Sequence, residues 1–169
     1  LENLKEEICL ANQQLPSSGL VKLTWGNVSG IDKDKGIFGI KPSGIDYNDL
    51  KPSDIVLVDM EGQKVEGNLN PSSDTKTHLE LYKAWPEIGG ITHTHSLSAT
   101  TLAQTGKELP CFGTTHADHF YGTVPVCRAL NQSELADDYE KNTGVIIVKH
   151  FLENDIDPIK IPAVLQLHH

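Results

Sequence analysis

At 169 residues with 38% hydrophobic side chains, the chain is long enough for one domain with a core of its own. Its formal net charge of −9 and pI of about 5.2 weigh against sequence-independent binding to nucleic acid or an anionic membrane, since both reward a basic surface. No apolar run approaches the roughly 18 residues of a membrane span. The charged, amphipathic start LENLKEEICLANQQL is not expected to be a signal peptide.

In chain order, Leu4, Ile8, Ala11 and Leu15 recur at helical spacing, and Pro16 is expected to end that helix. LVKLTWGNVSGID (20–32) alternates like a strand, and GIFGIKPSGID (36–46) predicts a second strand running into a Pro-Ser-Gly turn. DIVLVDMEGQKVEG (54–67) predicts a hairpin turning at Glu61-Gly62. NPSSDTKTHLELYKAW (70–85) opens with capping residues and continues as a helix. GGITHTHS (89–96) predicts a buried strand, followed by helix over LSATTLAQTG (97–106). GTTHADHFYGTVPV (113–126) predicts loop and strand, and SELADDYEKNTG (133–144) a helix ending at Asn142-Thr143-Gly144. VIIVKHFLEND (145–155) fits strand or helix, with helix expected in its second half. PAVLQLHH (162–169) predicts a last strand. With no repeat, low-complexity stretch or linker, strands and helices intermix, which predicts a layered α/β domain over 1–169. Cys9, Cys111 and Cys127 are odd in number and far apart, which predicts reduced thiols in a cytoplasmic protein. The first residue is Leu, and VLQLHH breaks off in mid-strand, so the sequence is expected to be trimmed at both ends.

The candidate chemistry starts at GGITHTHS. Alternation along a strand turns His93 and His95 to one face, where two imidazoles can grip one metal ion. Two hydrogen-bonded strand histidines with no metal fit the same pattern. His169, expected on the face of Leu165 and Leu167, could supply a third ligand, although terminal histidines also fit a purification tag. Ser72, Ser73 and Asp74 open a helix, where backbone N–H groups favour an anion and where ordinary capping is the alternative. Lys41 flanks the turn Pro42-Ser43-Gly44, whose backbone N–H groups could reach a phosphate, and Asn27 follows Gly26 as a neutral hydrogen-bond donor. Asp118, between His116 and His119, could exchange a proton with a sugar hydroxyl.

TWGNVSG, KPSG, NPSSDT, GGITHTHS and GTTHADHFYGT occur in this order and spacing. Together they resemble the class II aldolase/adducin family, and within it the branch that epimerises L-ribulose 5-phosphate at C4. The resemblance covers essentially the whole chain. It implies an α/β fold, a three-layer α/β/α arrangement around a mostly antiparallel sheet, and a homotetramer with active sites at subunit interfaces. It implies zinc, with manganese or cobalt suited to the same donors, held by His93, His95 and His169, with Asp74 beside the metal as ligand or base. Gly26, Asn27, Ser43, Gly44, Ser72 and Ser73 match the substrate-phosphate site, with Lys41 next to it, and Asp118 matches the acid that exchanges a proton with substrate. The chain departs from the pattern at its end: QLHH stands where VHSH is usual, and the tail tyrosine that serves the neighbouring subunit's site lies beyond His169. The activity implied is conversion of L-ribulose 5-phosphate to D-xylulose 5-phosphate. The C4 hydrogen is not acidic and no dinucleotide fingerprint supports oxidation, so the expected route breaks and remakes the C3–C4 bond. The alternatives are an aldolase similar to those acting on L-fuculose phosphate, and a non-catalytic scaffold similar to the adducin head.

Overall fold

Helix α1 (Glu2–Ser17) turns Ile8, Cys9 and Leu15 inward and leaves its glutamates in solvent. Pro16 sits inside its last turn, so the helix runs one residue further than the proline suggested, and Gly19 closes it at φ 68°, a conformation suited to glycine. The computed structural model describes residues 1–169, which divide into two compact units, 1–96 and 97–169.

The first unit is built on a five-stranded sheet in the order β4-β3-β2-β1-β5, with every neighbouring pair antiparallel. The strands are β1 (Asn27–Asp32), β2 (Ile37–Ile40), β3 (Val56–Asp59), β4 (Lys64–Glu66) and β5 (Gly90–His93). The expected strand over 20–32 is regular only from Asn27; ahead of it Lys22 and Trp25 form an isolated bridge. The hairpin turns where expected, at Gly62 with φ 83°. Period-two alternation sends Phe38, Ile40, Val56 and Val58 to one face, where they pack on Leu79 and Tyr82 of α2 (Thr75–Ala84). Leu57 points to the other face and packs with Ile8 and Cys9 of α1. The first unit is therefore helix, sheet, helix, with apolar side chains on both faces of its sheet.

Glycine lets α1 approach the sheet closely. A Cβ on Gly39 would stand 2.6 Å from Ile8 Cδ1 and 3.0 Å from Ile55 Cγ2, and one on Gly30 3.2 Å from Ile8 Cγ1. The helix thus rests on a floor of two glycines in adjacent strands.

The second unit contains α3 (Leu97–Thr105), a single turn α4 (Thr114–Ala117), β6 (Val126–Cys127), α5 (Gln132–Asp137), α6 (Tyr139–Glu153) and β7 (Leu165–Gln166). β6 and β7 pair in parallel, and Ala103, Val124 and Leu165 form a small core. Three expectations are corrected here. The helix expected to end at Gly144 instead breaks at Asp138, whose carboxylate caps α6 by accepting from the Lys141 N–H; Thr143 and Gly144 lie buried inside α6, where Gly144 is no terminator. Residues 145–153 are wholly helical. The last strand shrinks to Leu165–Gln166, because His168 adopts φ 65° and turns the chain out of the ladder. His169 therefore does not share a strand face with Leu165 and Leu167.

Gly39→Ala is expected to destabilise the protein by about 1–3 kcal/mol, the usual range for overpacking a close contact, measured by urea unfolding; an unchanged midpoint would mean that α1 is free to lift from the sheet.

Candidate functional site

The HxH pair departs from the expected buried strand. β5 is the edge strand of the sheet, with Gly90 and Thr92 exposed and Ile91 and His93 half-buried, and its ladder stops at His93 opposite Asn27. Past that point the chain is held differently: the His95 N–H donates to the Leu20 carbonyl at 3.0 Å. The rings still meet, with centroids 4.8 Å apart, and Trp25 lies 6.1 Å from His95 on centroids. Burial, and then the neighbouring His93 charge, lower the basicity of His95, so its ring is a neutral nitrogen donor at pH 7.

Asp74 anchors this pair. Although it stands at the N-cap of α2, its side chain does not cap; Oδ2 lies 2.8 Å from His93 Nδ1 and accepts from Asn27 Nδ2 at 2.6 Å. Burial alone would raise the Asp74 pKa, but the hydrogen bond and charge of His93 and the Asn27 amide hold it well below the usual carboxylate range. With Nδ1 occupied by a carboxylate, His93 has Nε2 to offer a metal, an arrangement that fixes tautomer and ring orientation. The residues therefore fit a divalent cation that takes neutral imidazole nitrogen, with a carboxylate behind one ligand.

Asn27 is buried and spends its donors within the protein: Nδ2 reaches Asp74 Oδ2 and, at 3.2 Å, Ser72 Oγ. Its Oδ1 is buried with no hydrogen-bond partner. The amide donors of Asn27 are thus directed to Asp74 and Ser72, and an ionised Asp74 fixes the amide orientation. The neighbouring turn is also tied within the protein. The Ser43 N–H donates to the Asn70 carbonyl and the Ser72 N–H to the Lys41 carbonyl, around a bridge between Pro42 and Pro71. Those two amides are committed to pairing the loops. Ser43, Gly44 (φ 75°) and Ser73 lie at the surface of that bridge. Lys41 is only 2% exposed; its Nζ donates to the Pro42 carbonyl at 3.3 Å and stands 4.9 Å from the centre of the Tyr47 ring. Burial lowers the Lys41 pKa. Gly26 is held at φ 109°, and a Cβ there would lie 2.9 Å from the His93 carbonyl oxygen, so only glycine lets β1 begin this close to β5.

Beneath the site lies a buried polar trio that sequence reading passed over. Ser29 Oγ is 2.7 Å from both His78 Nδ1 and the Tyr82 hydroxyl. Burial depresses the His78 pKa to about 4 and raises that of Tyr82. His78 and Tyr82 are four residues apart on α2, a helical spacing that offered a signal; Ser29 offered none.

In the second unit, Asp118 caps the short turn α4 with its N–H on the Thr114 carbonyl and exposes its carboxylate. His116 Nε2 lies 2.5 Å from the Gly122 carbonyl, and His119 is exposed. His169 is half-buried, with Nδ1 2.9 Å from the Tyr139 hydroxyl.

Residues 6–167 match the class II aldolase and adducin N-terminal domain, and the chain belongs to that family. Its fold is similar to that of an L-fuculose 1-phosphate aldolase, 30% identical, with a TM-score of 0.80 over 99% of this chain and 72% of that one. It is also similar to YgbL of Escherichia coli, described as a putative aldolase/epimerase/decarboxylase, at 22% identity and a TM-score of 0.75 over 99% of this chain and 76% of that one. A third similar structure is the L-fuculose-1-phosphate aldolase from Thermus thermophilus, at 24% identity and a TM-score of 0.68 over 88% of this chain and 70% of that one. The last two bear on the fold alone. All three agree with the α/β architecture and mainly antiparallel sheet described above. No helix is long and apolar enough to cross a membrane.

These networks set the pH dependence of folding. Between the ordinary histidine value of 6.5 and about 4, the unfolded chain binds a proton that folded His78 does not. Stability is therefore expected to fall as pH drops through that window, by about 3 kcal/mol in total. The stability–pH curve of His78→Gln should be correspondingly flatter between those limits, and an unchanged slope would acquit His78. Asn27→Asp would set a second carboxylate against Asp74, at a cost of about 3 kcal/mol at pH 7. One of the pair would then hold a proton, so this variant should recover stability relative to wild type as pH falls, measured by urea unfolding at pH 7 and pH 5.

Proposed function

We propose that the chain is a divalent-metal enzyme acting on a sugar phosphate, and that it epimerises L-ribulose 5-phosphate to D-xylulose 5-phosphate by breaking and remaking the C3–C4 bond. The observation that carries this reading is the 2.8 Å contact between His93 Nδ1 and Asp74 Oδ2, an ionised carboxylate holding one of two adjacent imidazoles. His93, His95 and His169 would hold the cation, with zinc as the proposed ion and manganese or cobalt suited to the same donors. When bound, the cation supplies Lewis acidity to carbonyl and hydroxyl oxygens of the substrate. Asp74 fixes the tautomer of His93 through Oδ2, and its negative charge offsets that of the cation.

The phosphate would be seated by Gly26, Ser43, Gly44, Ser72 and Ser73, with the buried Lys41 lending positive charge from beneath the turn. Asn27 serves that pocket by holding Ser72 and Asp74 in place, since its amide protons are directed to them. Asp118 would exchange a proton at the C4 hydroxyl on one face of the cleaved fragment. A tyrosine from the tail of a neighbouring subunit would serve the other face in a homotetramer with interface sites. Leu23 and Trp25, exposed at 76% and 57%, support an assembly that covers them. One family model matches residues 6–167 and so covers most of both units, which supports a single domain over 1–169.

Two features favour the epimerase: the pattern GTTHADHFYGT, and an aspartate at position 74 where similar L-fuculose-phosphate aldolases carry glutamate. A second reading, aldol cleavage with release of both fragments, is favoured by the 30% identity to an L-fuculose 1-phosphate aldolase.

NMR analysis of L-ribulose 5-phosphate incubated with the metal-loaded, full-length protein distinguishes the readings. D-Xylulose 5-phosphate is expected, and a metal-stripped control should give none. Accumulation of dihydroxyacetone and glycolaldehyde phosphate would make the protein an aldolase, and unchanged substrate would favour a scaffold. His95→Asn should lose bound metal. Asp118→Asn should keep it while turnover falls about 10²–10⁴-fold, the range of a lost acid–base group.

A further inference from the structure

His169 is fixed from three directions within the second unit. Its N–H donates to the Gln166 carbonyl at 3.2 Å, which closes the turn made by His168 at φ 65°. Its carbonyl accepts from Gln104 Nε2 of α3 at 3.1 Å. Its ring is held by the Tyr139 hydroxyl, 2.9 Å from Nδ1. The first two contacts fix the backbone of the residue, and the third acts on the imidazole. Tyr139 is itself well placed to do so: it is the first residue of α6, whose N-cap Asp138 accepts from the Lys141 N–H, and the Thr143 hydroxyl donates to the Tyr139 carbonyl at 2.8 Å. The phenol therefore projects from the fixed end of a 15-residue helix.

We infer that Tyr139 is the positioning residue of the third metal-binding histidine, an inference that rests on the ligand role proposed for His169 above. An imidazole that ligates through Nε2 must carry its proton on Nδ1, and a hydrogen-bond acceptor at Nδ1 selects that tautomer and stops rotation about χ2. The phenol hydroxyl can accept or donate at Nδ1, and once a cation takes Nε2 it accepts from Nδ1–H and holds the ring. Tyr139 stands behind His169 as Asp74 stands behind His93, but as a neutral hydroxyl. The two outer partners thus differ in charge: one carboxylate and one phenol, so that only one negative charge stands behind the ligand set. Losing the phenol leaves His169 in place on the backbone but removes this hold on its ring, and affinity for the cation falls without loss of a ligand.

The test uses the full-length protein titrated with Co²⁺, whose visible absorption reports the ligand geometry directly, and with Zn²⁺ in competition. Tyr139→Phe keeps the ring and removes only the hydroxyl. It is expected to weaken metal binding about 10–100-fold, the range for loss of an outer partner of a ligand, and to alter the Co²⁺ spectrum while the metal-free protein unfolds at nearly the same urea concentration. A cycle with His169→Asn isolates the route: Tyr139→Phe should cost nothing further once His169 is gone. Wild-type affinity and spectrum in Tyr139→Phe, or an equal loss in the His169→Asn background, would overturn this inference and leave the metal reading standing. A wild-type protein that binds neither ion would overturn both.

Discussion

The structure of the first unit depends on a single half-buried carboxylate. Asp74 Oδ2 is shared between His93 on β5 and Asn27 on β1, while the Asp74 backbone opens α2. Three segments distant in the chain therefore meet at one oxygen. The arrangement is stable because each component satisfies another: the amide protons of Asn27 compensate the desolvation of the carboxylate, and the carboxylate fixes the amide. Orientation of the histidine pair is then a property of the core as much as of the surface.

Packing below this point keeps it in register. α2 presses Leu79 and Tyr82 onto Phe38, Ile40, Val56 and Val58, and the trio of Ser29, His78 and Tyr82 ties the same helix to β1 by hydrogen bonds. A helix held by apolar contact alone can slide by fractions of an ångström. A helix also tied at a serine can do so only by breaking a buried hydrogen bond. On the opposite face, α1 lies against Gly30 and Gly39, and Asn12 of that helix bonds both the carbonyl and the N–H of Val28 in β1. The strand carrying Asn27 is thus clamped from both sides, consistent with the tight placement that a preorganised site requires.

The proposed chemistry divides along the chain. The first unit carries two imidazoles, the anchoring carboxylate and the serine-rich turns, all on or beside a rigid sheet. The second unit carries Asp118 on an exposed single turn and His169 at the end of a short strand, held by α3 and α6. Two of the three proposed ligands and their carboxylate are thus on or beside the sheet, the third is held by two helices, and the group assigned to proton exchange lies on a short, exposed segment.

Much of this was legible in the sequence. Apolar strand runs gave β2 and the hairpin of β3 and β4, helical spacing gave α1, capping residues gave α2, and glycine marked the hairpin turn, because each of these signals is local. The motif order gave the family, whose model matches residues 6–167. What the sequence did not decide was every feature that depends on a partner remote in the chain. Asn27 and Asp74 are 47 residues apart, and Ser29 and His78 are 49 apart. No local pattern says which way an amide turns, so the pairing of the Asn27 amide with Asp74 and Ser72 was not legible. The strand at 89–96 read as buried, whereas its place at the sheet edge follows from the order of pairing. Sequence determined which segments become strands and helices and which residue types carry the chemistry. Only the tertiary structure decided which polar atoms are already paired, because a hydrogen bond is satisfied by proximity in space and not by position in the chain.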